Sequence, residues 1–303
     1  MTAAELKAGI YLPSDLEGAG RPDRVVAHAR HAEEVGLESV WMGDHLITGD
    51  TPRLDTPLLV AAVAASTETV KLGFGVLILP LRPVAWVAKQ VVTLQYLSGG
   101  RVLLGVGSGG AVHGDAAWRA LGLPYRRRGR QTDEALDALP GLVAGKPTTV
   151  GGEEVTLAPG ATMPPLLIAG SDATLRRVAR YGDEWYPAFT SAAYVAATRR
   201  RLADLAAEYG RPTPGVTLNV NVGLGDVPAS TIDDHVRAMT AFYGDESEDG
   251  LRQALVVGPP ARAAEQIAAL AEAGVDRIVG YPFAGDRFEQ AELLAEATRL
   301  AHA

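Results

Sequence analysis

Three glycine-flanked turns and one histidine carry the chemistry that can be read directly from this sequence. Asp44-His45 follows the apolar run SVWM and closes the segment SVWMGD at 39–44. An imidazole titrates near neutrality and can serve as a general acid or base. The adjacent carboxylate could orient it or accept a hydrogen bond from a cofactor. From position alone, an idle histidine on a surface loop is an equal alternative. Gly73 and Gly75 interrupt LGFGVLIL. Glycine weakens a strand, so the pair suggests a bulge or the close approach of a flat ligand at Gly75-Val76, with plain packing against bulky neighbours as the alternative. Gly105-Val106-Gly107-Ser108-Gly109-Gly110 offers backbone N–H groups and little bulk, which suits a phosphate or a planar ring. It opens a long insertion rather than a helix, so the dinucleotide fingerprint fails on context. Ala169-Gly170-Ser171-Asp172-Ala173-Thr174 reads as a strand end, a tight turn and a helix start. The hydroxyls of Ser171 and Thr174 could meet one phosphate at the positive end of that helix. Simple capping by Ser171 or Asp172 explains the same residues.

Other candidates are weaker. Arg126, Arg127, Arg128 and Arg130 could clamp an anionic tail, but a solvated face is the plainer reading. His113 and Trp118 share that insertion and could line a pocket or a lid. His28, His31, His235 and His302 read as structural or solvated.

These residues fall at the ends of a repeating series of short apolar runs and amphipathic stretches. Strands are expected at 6–13, 39–44, 71–79, 101–109, 165–170, 184–189, 216–224, 253–258 and 276–283. Helices are expected at 22–36, 56–68, 83–97, 131–144, 172–181, 191–209, 230–243, 260–273 and 286–301. A polar insertion at 110–130 follows the fourth strand, and a hairpin at 148–157, turning on two glycines, precedes the fifth. Repeated βα units imply a parallel sheet covered by helices. The first strand ends in IYLPSD, without the phosphate-binding glycines of an open doubly wound sheet. About eight units without a linker favour closure into a (β/α)₈ TIM barrel, read as one domain over 1–303. Active sites of such barrels lie where the strands end, where the turns above fall.

Composition narrows the classes. The net charge of −8 argues against nucleic acid as a partner. With no cysteine, disulfides, thiolate nucleophiles and iron–sulfur ligation are excluded. The first residues carry no signal-peptide pattern, and the apolar runs are too short to span a bilayer, so a cytoplasmic location is expected, with no membrane partner. The expected partner is a small-molecule substrate, with a homodimer as a further expectation.

Four segments in order, SVWMGDHL, KLGFGVLILPLRPV, VTLQYLSGGRVLLGVGSGG and LLIAGSDATLRRVARYGDEWYP, resemble the bacterial luciferase-like monooxygenase superfamily. The similarity extends to VVGPPARAAEQIAALAEAGVDRIV near the end of the chain. The resemblance implies a TIM barrel using FMN or the deazaflavin coenzyme F420. It implies that the turns at Gly107, Ser108 and Gly109 and at Ala169, Gly170, Ser171 and Thr174 bracket the cofactor phosphate. It further implies a non-prolyl cis peptide at Gly75-Val76 and an active-site role for His45, with Asp44 beside it. Ser108 stands where luciferases proper carry an arginine, which resembles the deazaflavin branch. Gly110 stands where deazaflavin-linked sugar-phosphate dehydrogenases carry a catalytic glutamate, which argues against that substrate. The expectation is therefore F420-dependent hydride transfer, with an FMN-dependent monooxygenase second and a non-catalytic flavin-binding barrel third.

Overall fold

A computed structural model describes residues 5–13, 22–47, 53–244 and 247–302. Its strands are β1 (Lys7–Tyr11), β2 (Ser39–Met42), β3 (Lys71–Phe74), β4 (Leu77–Ile78), β5 (Val102–Gly107), β6 (Thr148–Val150), β7 (Glu153–Val155), β8 (Leu166–Ala169), β9 (Glu184–Tyr186), β10 (Gly215–Leu224), β11 (Leu255–Gly258) and β12 (Arg277–Pro282). The α-helices are α1 (Pro22–Glu34), α2 (Thr56–Ala64), α3 (Val84–Ser98), α4 (Ala116–Ala120), α5 (Arg128–Val143), α6 (Leu175–Tyr181), α7 (Ala192–Glu208), α8 (Ala229–Tyr243), α9 (Glu248–Gln253), α10 (Pro260–Glu272) and α11 (Arg287–Ala301).

The chain divides into two compact units, one drawn from 1–12, 28–41 and 169–303 and the other from 13–27 and 42–168. In the first, β1 pairs in parallel with β2 and β12, and β10 pairs in parallel with β12 and β9. In the second, β5 pairs in parallel with β3, β4 and β8. The fold is a closed parallel barrel of eight strands with surrounding helices, a TIM barrel. The run QALVVG adds a ninth strand, β11, which pairs with β10 only at Asn221–Leu224. Every residue of β5 is buried, as is nearly all of β10, the pattern of strands covered on both faces.

Local chemistry sets the element ends. Asp286 caps α11 by accepting from the backbone N–H groups of Phe288 (2.9 Å) and Glu289 (3.3 Å). Ser191 caps α7 through Tyr194 N–H at 3.3 Å. At the other end of α3, Gly99 takes the left-handed conformation, with φ +63°. The hairpin β6–β7 turns on Gly151 and Gly152, both at positive φ, as its glycine pair anticipates.

Each unit also has an arginine that gathers partners where strands begin. Arg277 donates to Glu38 (2.9 and 3.2 Å), Glu184 (2.7 Å) and Thr217 (2.8 Å). Arg101 donates to the carbonyls of Ala64, Thr67, Val70 and Ser98 at 2.7–2.9 Å, satisfying acceptors left over where α2 and α3 end. Conserving geometry at the strand starts is a matter of stability rather than catalysis in this architecture.

Three element expectations change. The third strand is broken into β3 and β4 around Gly75-Val76. The insertion contains the short helix α4, and α9 precedes β11. Both helices are too short to show a helical period in the sequence.

Candidate active site

The site residues of the second unit begin where β2 ends. Gly43 is buried, and its carbonyl accepts from the Thr56 hydroxyl at the start of α2, at 2.6 Å. Asp44 is 3 % exposed. Its carboxylate accepts a two-pronged bond from Arg82, at 2.6 and 2.8 Å, and a third from Ile78 N–H at 3.0 Å. Arg82 also lies 3.6 Å from Asp55. Burial opposes the Arg82 cation, but the bonds and charge of Asp44, with Asp55, prevail and raise its pKa. Asp44 therefore ties the end of β2 to β4 and to the segment leading into α3.

The Gly75-Val76 peptide is cis. Gly75 N–H donates to Met42 O at 2.9 Å, and Val76 O accepts from Asp44 N–H at 3.2 Å, which places this peptide beside the Asp44-His45 turn. Gly105 shows why the neighbouring strand needs glycine: a Cβ there would run into the Phe74 carbonyl.

His45 follows, with its side chain partly exposed on a shallow cleft. The cleft is walled by Ile78, Leu81, Gly109 and Trp118, and His113 lies across from His45. The two imidazoles are 4.4 Å apart, centre to centre, and tilted by 58°. Burial foremost, then the charges of His113 and Arg53, lowers the His45 pKa from 6.5 to about 4. Burial and Arg53 lower that of His113 too. At neutral pH His45 is a neutral imidazole, with one nitrogen able to accept a proton.

Gly109 sits in the left-handed region at φ +82°, and a Cβ on it would strike the Trp118 ring. Trp118 has its indole N–H buried without a partner among the described residues. Of the four arginines in the insertion, Arg126, Arg127 and Arg130 are exposed. Arg128 turns inward instead: it lies 4.0 Å above the Tyr125 ring and donates to Gly109 O at 3.4 Å.

The remaining candidates belong to the first unit. Gly170 has φ +135°, and its carbonyl accepts from Trp185 Nε1 at 2.8 Å. The Thr174 hydroxyl donates to Ser171 O at 2.8 Å, closing a single 3₁₀ turn before α6. Ser171 makes no side-chain cap bond. The Asp172 carboxylate faces Tyr194 (3.2 Å) and Arg201 (3.4 Å). Neither capping alternative describes this turn. It presents the Ser171 hydroxyl, with its one carboxylate engaged elsewhere, whereas the Thr174 hydroxyl and N–H are both spent on Ser171 O; the Ser171 hydroxyl is the donor here that fits an anion.

The second unit thus brings together Asp44, His45, Gly75 and Val76, and of the glycine turn after β5 Gly109 and Gly110 line the cleft beside His45. Sequence reading suspected His113 and Trp118 as pocket residues, and both line it. It passed over Arg82 and Arg53. Arg82 could have been sought as the missing partner of an aspartate at a buried strand end. Of the other histidines, His28 stacks on Phe288 at 3.9 Å and His235 on Phe283 at 4.1 Å, while His31 and His302 face Glu292 and Glu5.

The profile of the luciferase-like monooxygenase family matches residues 6–248. The chain belongs to that family. The F420-dependent hydroxymycolic acid dehydrogenase of Mycobacterium tuberculosis is 35% identical over 181 residues, which cover 54% of this chain and 49% of that protein. The chain spans about half the length of the first curated relatives it matches. Among solved structures, an F420-dependent secondary alcohol dehydrogenase in complex with an F420–acetone adduct aligns over 98% of this chain and 99% of its own, at 19% identity and a TM-score of 0.83. The oxygenating constituent of 3,6-diketocamphane monooxygenase from Pseudomonas putida, in complex with FMN, aligns over 98% of each chain at 18% identity and a TM-score of 0.78. These last two likenesses are of fold. Members of this family are oxidoreductases or monooxygenases. Among the described residues no helix is long and apolar enough to cross a membrane.

Proposed function

We propose that this chain is an F420-dependent oxidoreductase that interconverts a small, uncharged alcohol and its carbonyl compound. The observation that carries the reading is the cleft itself. Its walls are apolar, its polar side chains are two imidazoles, Asp44 and Arg82 beside it are paired with each other, and the one further charge that bears on both rings is Arg53. Such a site favours a neutral substrate with one hydroxyl or carbonyl group and offers little to a sugar phosphate. Gly110, lacking a catalytic carboxylate, supports the same choice.

Ser171 and Thr174, with Ala169 and Gly170, would hold the coenzyme phosphate. The turn at Gly107, Ser108 and Gly109 would flank that phosphate from the other side, and Gly75 and Val76 would bear on the ring system. The bound coenzyme supplies the two-electron chemistry. His45 exchanges the substrate's hydroxyl proton, and the apolar walls exclude water. Asp44 is a positioning residue, since both its oxygens are already bonded.

Ser108, in place of a phosphate-binding arginine, supports F420 over FMN. The relative named as F420-dependent and the family resemblance point the same way. The FMN-dependent monooxygenase is the second reading, supported by the likeness in fold to the FMN-bound enzyme.

Anaerobic assays with reduced F420 and a panel of aliphatic ketones, and with oxidised F420 and the matching alcohols, test this reading. Coenzyme turnover without oxygen is expected. Turnover only with reduced FMN and oxygen would replace it with the second reading. A His45→Ala variant that binds coenzyme and turns over like the wild type would remove His45 from the chemistry.

A further inference from the structure

The His45–His113 pair joins two separate parts of the chain. His45 lies in the turn that follows β2, whereas His113 closes a 3₁₀ turn, Ala111–His113, inside the insertion after β5. Both rings line one cleft, together with Trp118 and Leu81. Two imidazoles whose centres lie 4.4 Å apart cannot both carry protons without strong repulsion, so they titrate as a unit. Arg53 bears on both rings as a third positive group. Among the described residues, the carboxylates of Asp44 and Asp55 face Arg82, and Arg128 is turned to the Gly109 carbonyl. The insertion therefore places a proton-bearing ring against the residue expected to do the chemistry.

We propose that His113 is a positioning residue that keeps His45 neutral and fixed against the cleft, so that His45 begins each turnover as a proton acceptor. This rests on the reading of His45 as the proton-exchanging group. In the oxidising direction His45 would accept the hydroxyl proton of the alcohol, and the bound coenzyme would supply the two-electron oxidation that leaves the carbonyl product. The imidazolium of His45 then returns the proton to solvent. Because the rings are 4.4 Å apart, a proton on His113 disfavours one on His45 and leaves His45 the acceptor.

Two variants separate charge from shape. His113→Phe keeps a ring beside His45 and removes its titration, and His113→Gln keeps a polar group without a charge. NMR titration of the His45 ring protons in coenzyme-free protein is expected to show its pKa shifted upward in both variants, by ~0.5–1 unit. The acidic limb of the pH–rate profile for alcohol oxidation should shift upward with it. An unchanged His45 titration in both variants would overturn the proposal, whatever coenzyme the protein uses. A shifted titration with an unmoved pH–rate profile would overturn the catalytic part. Failure of both coenzymes to support turnover would instead defeat the functional reading, while the coenzyme-free titration would still decide whether the two rings are coupled.

Discussion

Replacing Arg82 by methionine keeps most of its volume and removes the cation that neutralises Asp44. Asp44 is almost fully buried and holds three bonds, two of them charge-assisted and from Arg82. Breaking a buried pair from one side leaves an uncompensated charge and costs roughly 3–5 kcal/mol. For a chain of this length that is a fall of roughly 6–10 °C in Tm. Asp44→Asn should cost less, about 1–3 kcal/mol, because an amide oxygen can still accept from Ile78 N–H and Arg82 retains Asp55 at 3.6 Å. The double variant has no lone charge to bury, so its loss should fall short of the sum by about 1–3 kcal/mol. Urea and thermal denaturation of all four proteins close this cycle. A loss below about 1 kcal/mol for Arg82→Met, or strictly additive losses, would refute the view that this ion pair fixes the turn carrying His45.

Stability should also depend on pH through His45. Its pKa falls from 6.5 in the unfolded chain to about 4 in the folded protein, so the unfolded chain takes up the proton first. The contribution is complete above pH 6.5, is lost as the pH falls towards 4, and is level below. After allowance for the partial exposure of the ring it amounts to roughly 2 kcal/mol. His45→Asn should flatten Tm against pH in that window, and parallel curves would contradict the assignment. Gly109→Ala should displace the Trp118 ring, and tryptophan fluorescence should report it; an unchanged spectrum at unchanged stability would count against that packing. Ser171→Ala should weaken coenzyme binding by about tenfold, roughly one lost hydrogen bond to an anion, without shifting the pH dependence of turnover. Arg277→Met should lower stability by roughly 3–5 kcal/mol and leave the substrate KM unchanged; a selective rise in KM would contradict its purely structural placement.

Much of the fold is legible in the sequence because parallel barrel strands are short, apolar runs bounded by turn residues. KAGIY, VLLGVG and RIVGYP each become strands within a residue or two of their expected limits. The break around Gly75-Val76 is also written there, as paired glycines in an otherwise bulky run. The ninth apolar run was harder to place, since periodicity cannot say that β11 joins β10 along only part of its length. Residues 14–21 and 48–52, in the segments that follow β1 and β2, lie outside the described residues. In the site, His45, the glycine turns and the hydroxyls of 171–174 stand out by residue type. Arg82 does not, because its importance comes from a carboxylate 38 positions away in the chain. The closeness of His113 to His45 likewise depends on how the insertion folds back, which no local pattern records.

Titration of the purified protein with F420 and with FMN, each oxidised and reduced and followed by fluorescence, bears most directly on the coenzyme. Saturable binding of F420, tighter than that of FMN and weakened in Ser171→Ala, is the expected result. Tight binding of FMN with no measurable affinity for F420, or no binding of either, would contradict it.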